Sequence, residues 1–145
     1  MIYLAGDKYG FKAIAIVESY VKLHKFDFQN LGVINARENM KLEDMIPLVA
    51  RIVLASTENC CVLSCGTGVG VEVGANKFSG IRACLATTKQ IAQWARVYDN
   101  CNVLCLVGWE NTKEEINQIL DAWFSSTFDG DRDRLSMFDA FDSWR

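Results

Sequence analysis

Apolar residues along this chain fall into two alternating rhythms. "IYLAG" (2–6) is a short apolar run that stops at glycine, as a buried strand does. "FKAIAIVESYVKLHK" (11–25) places its apolar residues at helical spacing. "FDFQNLGVI" (26–34) predicts a second strand. "KLEDMIPLVARIVLAS" (41–56) predicts a helix, with Pro47, the single proline, in its first turns, where proline is tolerated. "CCVLSC" (60–65) is apolar on both faces, the mark of a central parallel strand. A glycine-rich turn and a short helix follow. "IRACLA" (81–86) predicts a strand, "TKQIAQWARVYD" (88–99) a helix, and "NVLCLVG" (102–108) a fifth strand. "TKEEINQILDAWFSSTF" (112–128) predicts an amphipathic helix opened by Thr112, with Glu115 completing a capping box. The tail, 129–145, is charged and then aromatic. Phe138, Phe141 and Trp144 share one face of a predicted helix over 135–145, to pack on a subunit partner or on the chain's own core.

Strands alternating with helices build a parallel sheet covered on both faces. The chain shows no internal repeat, linker or composition break, so residues 1–145 read as one doubly wound α/β domain. Such folds bind ligands outside the carboxyl ends of their strands. That singles out the loops at 6–10, 65–70, 86–88 and 108–111.

Composition narrows the function classes. A chain of 145 residues, half of them hydrophobic, buries a real core. A formal net charge of −3 argues against a nucleic-acid or anionic-membrane surface, while leaving room for a local basic pocket. The six cysteines sit in or beside apolar runs without a CxxC pair, and no secretory leader opens the chain. Reduced thiols and a cytoplasmic location follow. With His24 the single histidine, near the far end of the first helix and expected at the surface, no metal site is indicated. No apolar segment approaches the length of a membrane span.

Two loops carry candidate chemistry. In "GDKYGF" (6–11), Asp7 and Lys8 lie just past the first strand, where side chains point into the crevice. Asp7 equally suits the role of N-cap for the next helix. In "CGTGVG" (65–70), Gly66, Gly68 and Gly70 let backbone N–H groups crowd around an anion as a helix begins. The spacing is neither GxxxxGK[ST] nor GxGxxG, so a nucleotide is not indicated. Cys65 directly precedes this turn. A helix N-terminus favours a thiolate, a base or nucleophile, whereas composition alone favours an inert buried thiol.

The block "CGTGVGVEVGANKFSGIRA", with Asp7 and Gly10-Phe11 upstream and "ARVYDNCNVL" downstream, resembles the family of ribose-5-phosphate isomerase B and the galactose-6-phosphate isomerase subunits. The resemblance runs from residue 1 to about 134. It implies a single Rossmann-like three-layer domain with a five-stranded parallel sheet, at least a dimer, and an active site shared between two subunits. The dimer or tetramer would be homomeric or include a paralogous subunit. The tail helix would reach the neighbouring subunit, and neither metal nor cofactor would be needed. Such proteins interconvert aldose and ketose phosphates through an enediolate. Cys65 matches the cysteine that moves the proton between C1 and C2. Thr67 and the amides of Gly66, Gly68 and Gly70 match the groups that hold the oxyanion. Asp7 matches a sugar-contacting residue and Arg132 a phosphate-binding arginine; Arg134, the second tail arginine, is out of spacing by two residues.

The departures fall on one half of the site. The family's "DHAGF" is here "DKYGF", so Lys8 replaces a histidine. Tyr98 sits where the family has its ring-opening histidine, Asp99 where it has an asparagine near substrate, and Trp109 where it has a phosphate-binding arginine. The reading adopted is an isomerase with a retuned pocket, in which Lys8 restores positive charge and Tyr98 or Asp99 handles the ring proton. The alternatives are a cysteine-bearing subunit completed by a paralogue, and an inactive sugar-binding relative. A base shifted to Glu72, one position beyond the place where some members have a glutamate just after the loop, is a further one.

Overall fold

In a computed structural model that describes residues 1–35 and 37–144, the apolar runs form strands and the amphipathic runs form helices. The strands are β1 (Ile2–Gly6), β2 (Phe28–Asn30), β3 (Cys60–Cys65), β4 (Ala83–Leu85) and β5 (Val103–Val107). The helices are α1 (Phe11–Leu23), α2 (Leu42–Leu54), α3 (Val69–Ala75), α4 (Lys89–Val97), α5 (Lys113–Phe124) and α6 (Arg132–Asp142). All strand pairs are parallel and the order is β2-β1-β3-β5-β4. From β1 the chain builds outward to β2, then crosses back to place β3 on the other side of β1. That reversal opens a crevice between the carboxyl ends of β1 and β3. Gly6 pairs with Ser64, and Cys65 with Val107, so these strand ends are level.

The sheet separates two cores. Leu4, Val62 and Leu104 pack beneath α1, α4 and α5, whose largest contribution is Trp123. Ala5, Leu63, Cys65 and Val103 pack beneath α2 and α3. Each fully buried Leu or Val contributes about 1.5–3 kcal/mol of transfer free energy, so both faces hold the central strands in place. At α5 the capping box forms: Glu115 N–H donates to Thr112 Oγ1 at 3.2 Å, and Thr112 N–H to Glu115 Oε2 at 2.8 Å.

The edge elements depart from the sequence pattern. β2 stops at Asn30, whose Oδ1 accepts from Gly32 N–H at 3.0 Å and turns the chain. Leu31 and Val33 still donate to Leu4 and Gly6, in irregular geometry. Pro47 lies inside α2, beyond its first turn. The tail helix starts at Arg132, ahead of the predicted 135, because Asp131 Oδ1 caps Arg134 N–H at 2.9 Å. Its last predicted residue, Arg145, is outside the described residues. Phe138 is buried, with the Arg82 guanidinium 5.5 Å from its ring centroid, whereas Phe141 and Trp144 stay exposed. The tail therefore packs on its own chain most deeply through Phe138, with Phe141 edge-on against it. Among the described residues no helix is long and apolar enough to cross a membrane.

Candidate active site

The crevice is built by backbone contact. Gly10, in the β1–α1 loop, lies so close to the end of β3 that a Cβ there would meet Ser64 O at 2.1 Å. Gly108, after β5, donates to Cys65 O at 2.9 Å. Three loops thus converge on Cys65, which is 5% exposed. Its Sγ lies beside the first turn of α3: a Cβ built on Gly70 would be 3.7 Å from the sulfur and 3.1 Å from Leu42 Cδ1.

The turn after Cys65 has the predicted form. Gly68 takes φ +77° as N-cap of α3, a left-handed conformation that favours glycine. Thr67 is exposed and its Oγ1 accepts from Val69 N–H at 3.3 Å. Among the described residues, the N–H groups of Thr67, Gly68, Gly70 and Val71 have no hydrogen-bond acceptor. They form a set of free donors next to the thiol, a concavity suited to negative charge.

Asp7 sits in the turn between β1 and α1, and the N-cap of α1 is Gly10 rather than Asp7. The Asp7 Oδ1 accepts from Tyr9 N–H and Gly10 N–H, each at 2.9 Å, which closes the turn that leads into α1. Its Oδ2 takes no hydrogen bond among the described residues. Lys8 is exposed, without an ion pair among the described residues, and its Nζ lies 4.9 Å from the Tyr9 ring centroid. Trp109 leans on Gly66 and meets Tyr9 edge-on, centroids 5.9 Å apart.

Tyr98, Asp99 and Arg132 are not at this crevice. Tyr98 is the C-cap of α4, and Asp99 follows it before β5 begins, at the amino-terminal pole of the sheet. At about 3.3 Å per residue, the five residues of β5 separate that pole from the Cys65 end by at least ~13 Å. Arg132 opens α6, exposed and unpaired among the described residues. Arg134 is committed instead: it pairs with Asp129 and Asp131 and lies 5.2 Å from the Tyr98 ring centroid. Asp99 lines a cavity of about 380 Å3 at the outer edge of β4, with Glu72, Arg82, Cys84 and Phe138. One chain therefore joins Cys65, Gly66, Thr67, Gly68, Gly70, Asp7 and Lys8, and holds Tyr98, Asp99 and Arg132 at the other end.

Other candidate groups are tied up. Glu72 Oε1 accepts from Leu85 N–H at 2.8 Å, closing the open edge of β4, so it does not face the crevice as a free base. Burial pushes the thiols of Cys60, Cys61, Cys101 and Cys105 up, and that of Cys84 to about 11. All six cysteines are free. His24 is exposed and stacked on Tyr20. Among the described residues no group of three or more His, Cys, Asp or Glu is placed to hold a metal ion. Sequence reasoning missed Tyr9 and Leu42 as crevice walls; Tyr9 stood in view inside "DKYGF", and nothing local marks Leu42.

A Rossmann-like three-layer α/β domain with a thiol and free amides at its switch point defines the class: a small-molecule enzyme working at the carboxyl ends of the strands. Residues 2–137 match the family described as Ribose/Galactose Isomerase, and the chain belongs to it. A probable ribose-5-phosphate isomerase B of Mycoplasma genitalium is 35% identical over 132 residues, spanning 90% of this chain and 87% of that protein. The crystal structure of a ribose 5-phosphate isomerase from Thermotoga maritima has a TM-score of 0.91 at 29% identity, covering 98% of this chain and 97% of that one. A Mycoplasma genitalium ribose-5-phosphate isomerase B with bound ribulose-5-phosphate has a TM-score of 0.88 at 33% identity, covering 99% and 94%.

Proposed function

We propose that this protein interconverts an aldose phosphate and its ketose, of the ribose 5-phosphate and ribulose 5-phosphate type, without a cofactor. The observation that carries this reading is the Cys65 thiol set at the switch-point crevice beside the unpaired amides of Thr67, Gly68, Gly70 and Val71. As thiolate, Cys65 takes the C2 proton of the open-chain aldose and returns it at C1. The charge that develops on the enediolate oxygens meets the free N–H donors and the Thr67 hydroxyl. Asp7 Oδ2 accepts from a sugar hydroxyl, and Lys8 faces the phosphate.

Ring opening and the rest of the phosphate grip come from a second copy of this chain, which lays its amino-terminal pole over the crevice. That pole carries Tyr98, Asp99 and the unpaired Arg132, which supports a site shared in a homodimer or in a tetramer of such dimers. The exposed Phe141 and Trp144 fit a tail that also touches the second copy. Six free thiols fit a reducing cytoplasm.

The test mixes the purified single chain with ribose 5-phosphate, allose 6-phosphate and galactose 6-phosphate and follows ketose formation, beside Cys65→Ala. Turnover of one substrate, lost in Cys65→Ala, is expected. No turnover of any substrate, or equal turnover by the variant, refutes the cysteine-base mechanism. Turnover by the single chain also removes the need for a paralogous subunit.

A further inference from the structure

Trp109 is pinned by the fold on Gly66, the residue that follows Cys65. Its backbone N–H donates to Gly66 O at 3.1 Å, immediately after the thiol residue. Its indole rests on Gly66 itself: a Cβ there would lie 2.3 Å from Cε2, 2.5 Å from Cζ2 and 2.8 Å from Nε1. Gly66 therefore exists as a seat for this ring. Tyr9 braces it edge-on at an interplanar angle of 80°. Held on both sides, the ring is still 64% exposed, so a broad apolar surface stays open at the mouth of the crevice. Its Nε1 has no hydrogen-bond acceptor among the described residues.

We propose that Trp109 is the sugar-stacking wall of this site. The inference rests on the isomerase reading above and names how its substrate is gripped. A sugar carbon chain presents C–H groups on one face and hydroxyls on the other. An indole offers a flat, electron-rich apolar face to the first and an N–H donor to the second. A preset ring loses little conformational entropy when the ligand arrives. Stacking also carries no charge. The single cation in the β1–α1 loop is Lys8, whose Nζ lies over the Tyr9 ring, 4.9 Å from its centroid. The affinity contributed by this wall is therefore insensitive to ionic strength, unlike an ion pair to phosphate. Because the sugar's carbon face is similar in ground and transition states, the wall acts on binding rather than on the chemical step.

The test compares wild type, Trp109→Ala and Trp109→Phe with ribose 5-phosphate, and reads tryptophan fluorescence of Cys65→Ala during titration with ribulose 5-phosphate. Trp109→Ala is expected to raise KM about tenfold with kcat within about threefold, and Trp109→Phe to recover most of the loss. The ligand-induced fluorescence change is expected in Cys65→Ala and absent from Cys65→Ala/Trp109→Ala. Unchanged melting temperatures keep these readings about binding. A KM within about twofold of wild type in Trp109→Ala, or a persisting fluorescence change in the double variant, overturns the inference while the isomerase reading stands. A wild type that neither turns over nor binds any of these sugars overturns both.

Discussion

Replacing Gly70 by alanine separates stability from activity. Gly70 is the second residue of α3 and takes an ordinary helical conformation. Exchanging glycine for alanine within a helix stabilises by about 0.5–1 kcal/mol, because the unfolded chain loses freedom. The new methyl meets Leu42 Cδ1 at 3.1 Å, tight by a few tenths of an ångström, but that atom ends a flexible side chain. Its displacement costs less than the ~1 kcal/mol at which overpacking penalties begin. The net change lies between about 0 and +1 kcal/mol, a melting temperature raised by roughly 0–4 °C. The same methyl comes to 3.7 Å from Cys65 Sγ, an ordinary contact that leaves the thiol where it is and fills the space above it. A substrate that must reach the sulfur there loses about 10- to 100-fold in kcat/KM, or about 1.4–2.7 kcal/mol of transition-state stabilisation. Calorimetry and ketose formation on the same preparation read both effects. A melting temperature lowered by several degrees refutes the packing argument, and an unchanged kcat/KM refutes the approach of substrate from the α3 side.

Gly10→Ala is expected to be severe, since the clash at 2.1 Å is with backbone; a loss of about 3 kcal/mol or failure to accumulate as folded protein is the outcome, read by solubility and circular dichroism. Thr112→Ala removes the α5 cap and lowers stability by about 1 kcal/mol in urea unfolding, with isomerase activity intact. The Thr112 backbone N–H and hydroxyl hold the Glu115 carboxyl below the ordinary value of 4.5. A carboxyl lowered on folding contributes stability that is present above pH 4.5 and disappears as pH falls through its folded value. Thr112→Ala keeps the backbone N–H and loses only the hydroxyl's bond to the carboxylate, so the gap between the urea midpoints of wild type and variant narrows, without closing, as the pH is taken below 4.5; a gap that stays constant contradicts this. A thiol reagent at pH 8 should spare the fully buried Cys61 and Cys105, whose thiols burial pushes well up, until urea unfolds the chain. Labelling of either in the native protein, read by mass spectrometry, counts against the packed sheet.

The pattern of apolar residues was enough to place β1 and β3 residue for residue and β5 to within one residue at each end. These strands are buried on both faces, so their local composition and their tertiary environment agree. β2 and β4 ran longer in the pattern than in the fold, because an edge strand ends where its neighbour's hydrogen bonds do. Asn30 turns the chain out of β2, and Asn76 together with Glu72 satisfies the outer side of β4. The cysteine turn was legible for a related reason. A glycine turn at the carboxyl end of a central strand has one place to go in a doubly wound sheet.

What the sequence by itself determined was the inventory: five strands, one switch point, a thiol before a glycine turn, and a tail rich in charge and aromatics. Only the tertiary structure decided which groups are free to act. Glu72 and Arg134 look available in the sequence, yet one closes the edge of β4 and the other is held by Asp129 and Asp131. Arg132, two residues away from Arg134, has no ion pair among the described residues. Tyr9 and Trp109 are distant in the chain and meet at the crevice, whereas Tyr98 and Asp99 lie at the far pole from Cys65. The physical reason is the crossover. Each helix from α1 to α5 carries the chain back from the carboxyl ends of the strands to their amino-terminal ends, so residues at strand ends gather at one pole and those at helix ends at the other. Spacing along the chain records the order of these passages, and packing decides which side chains meet.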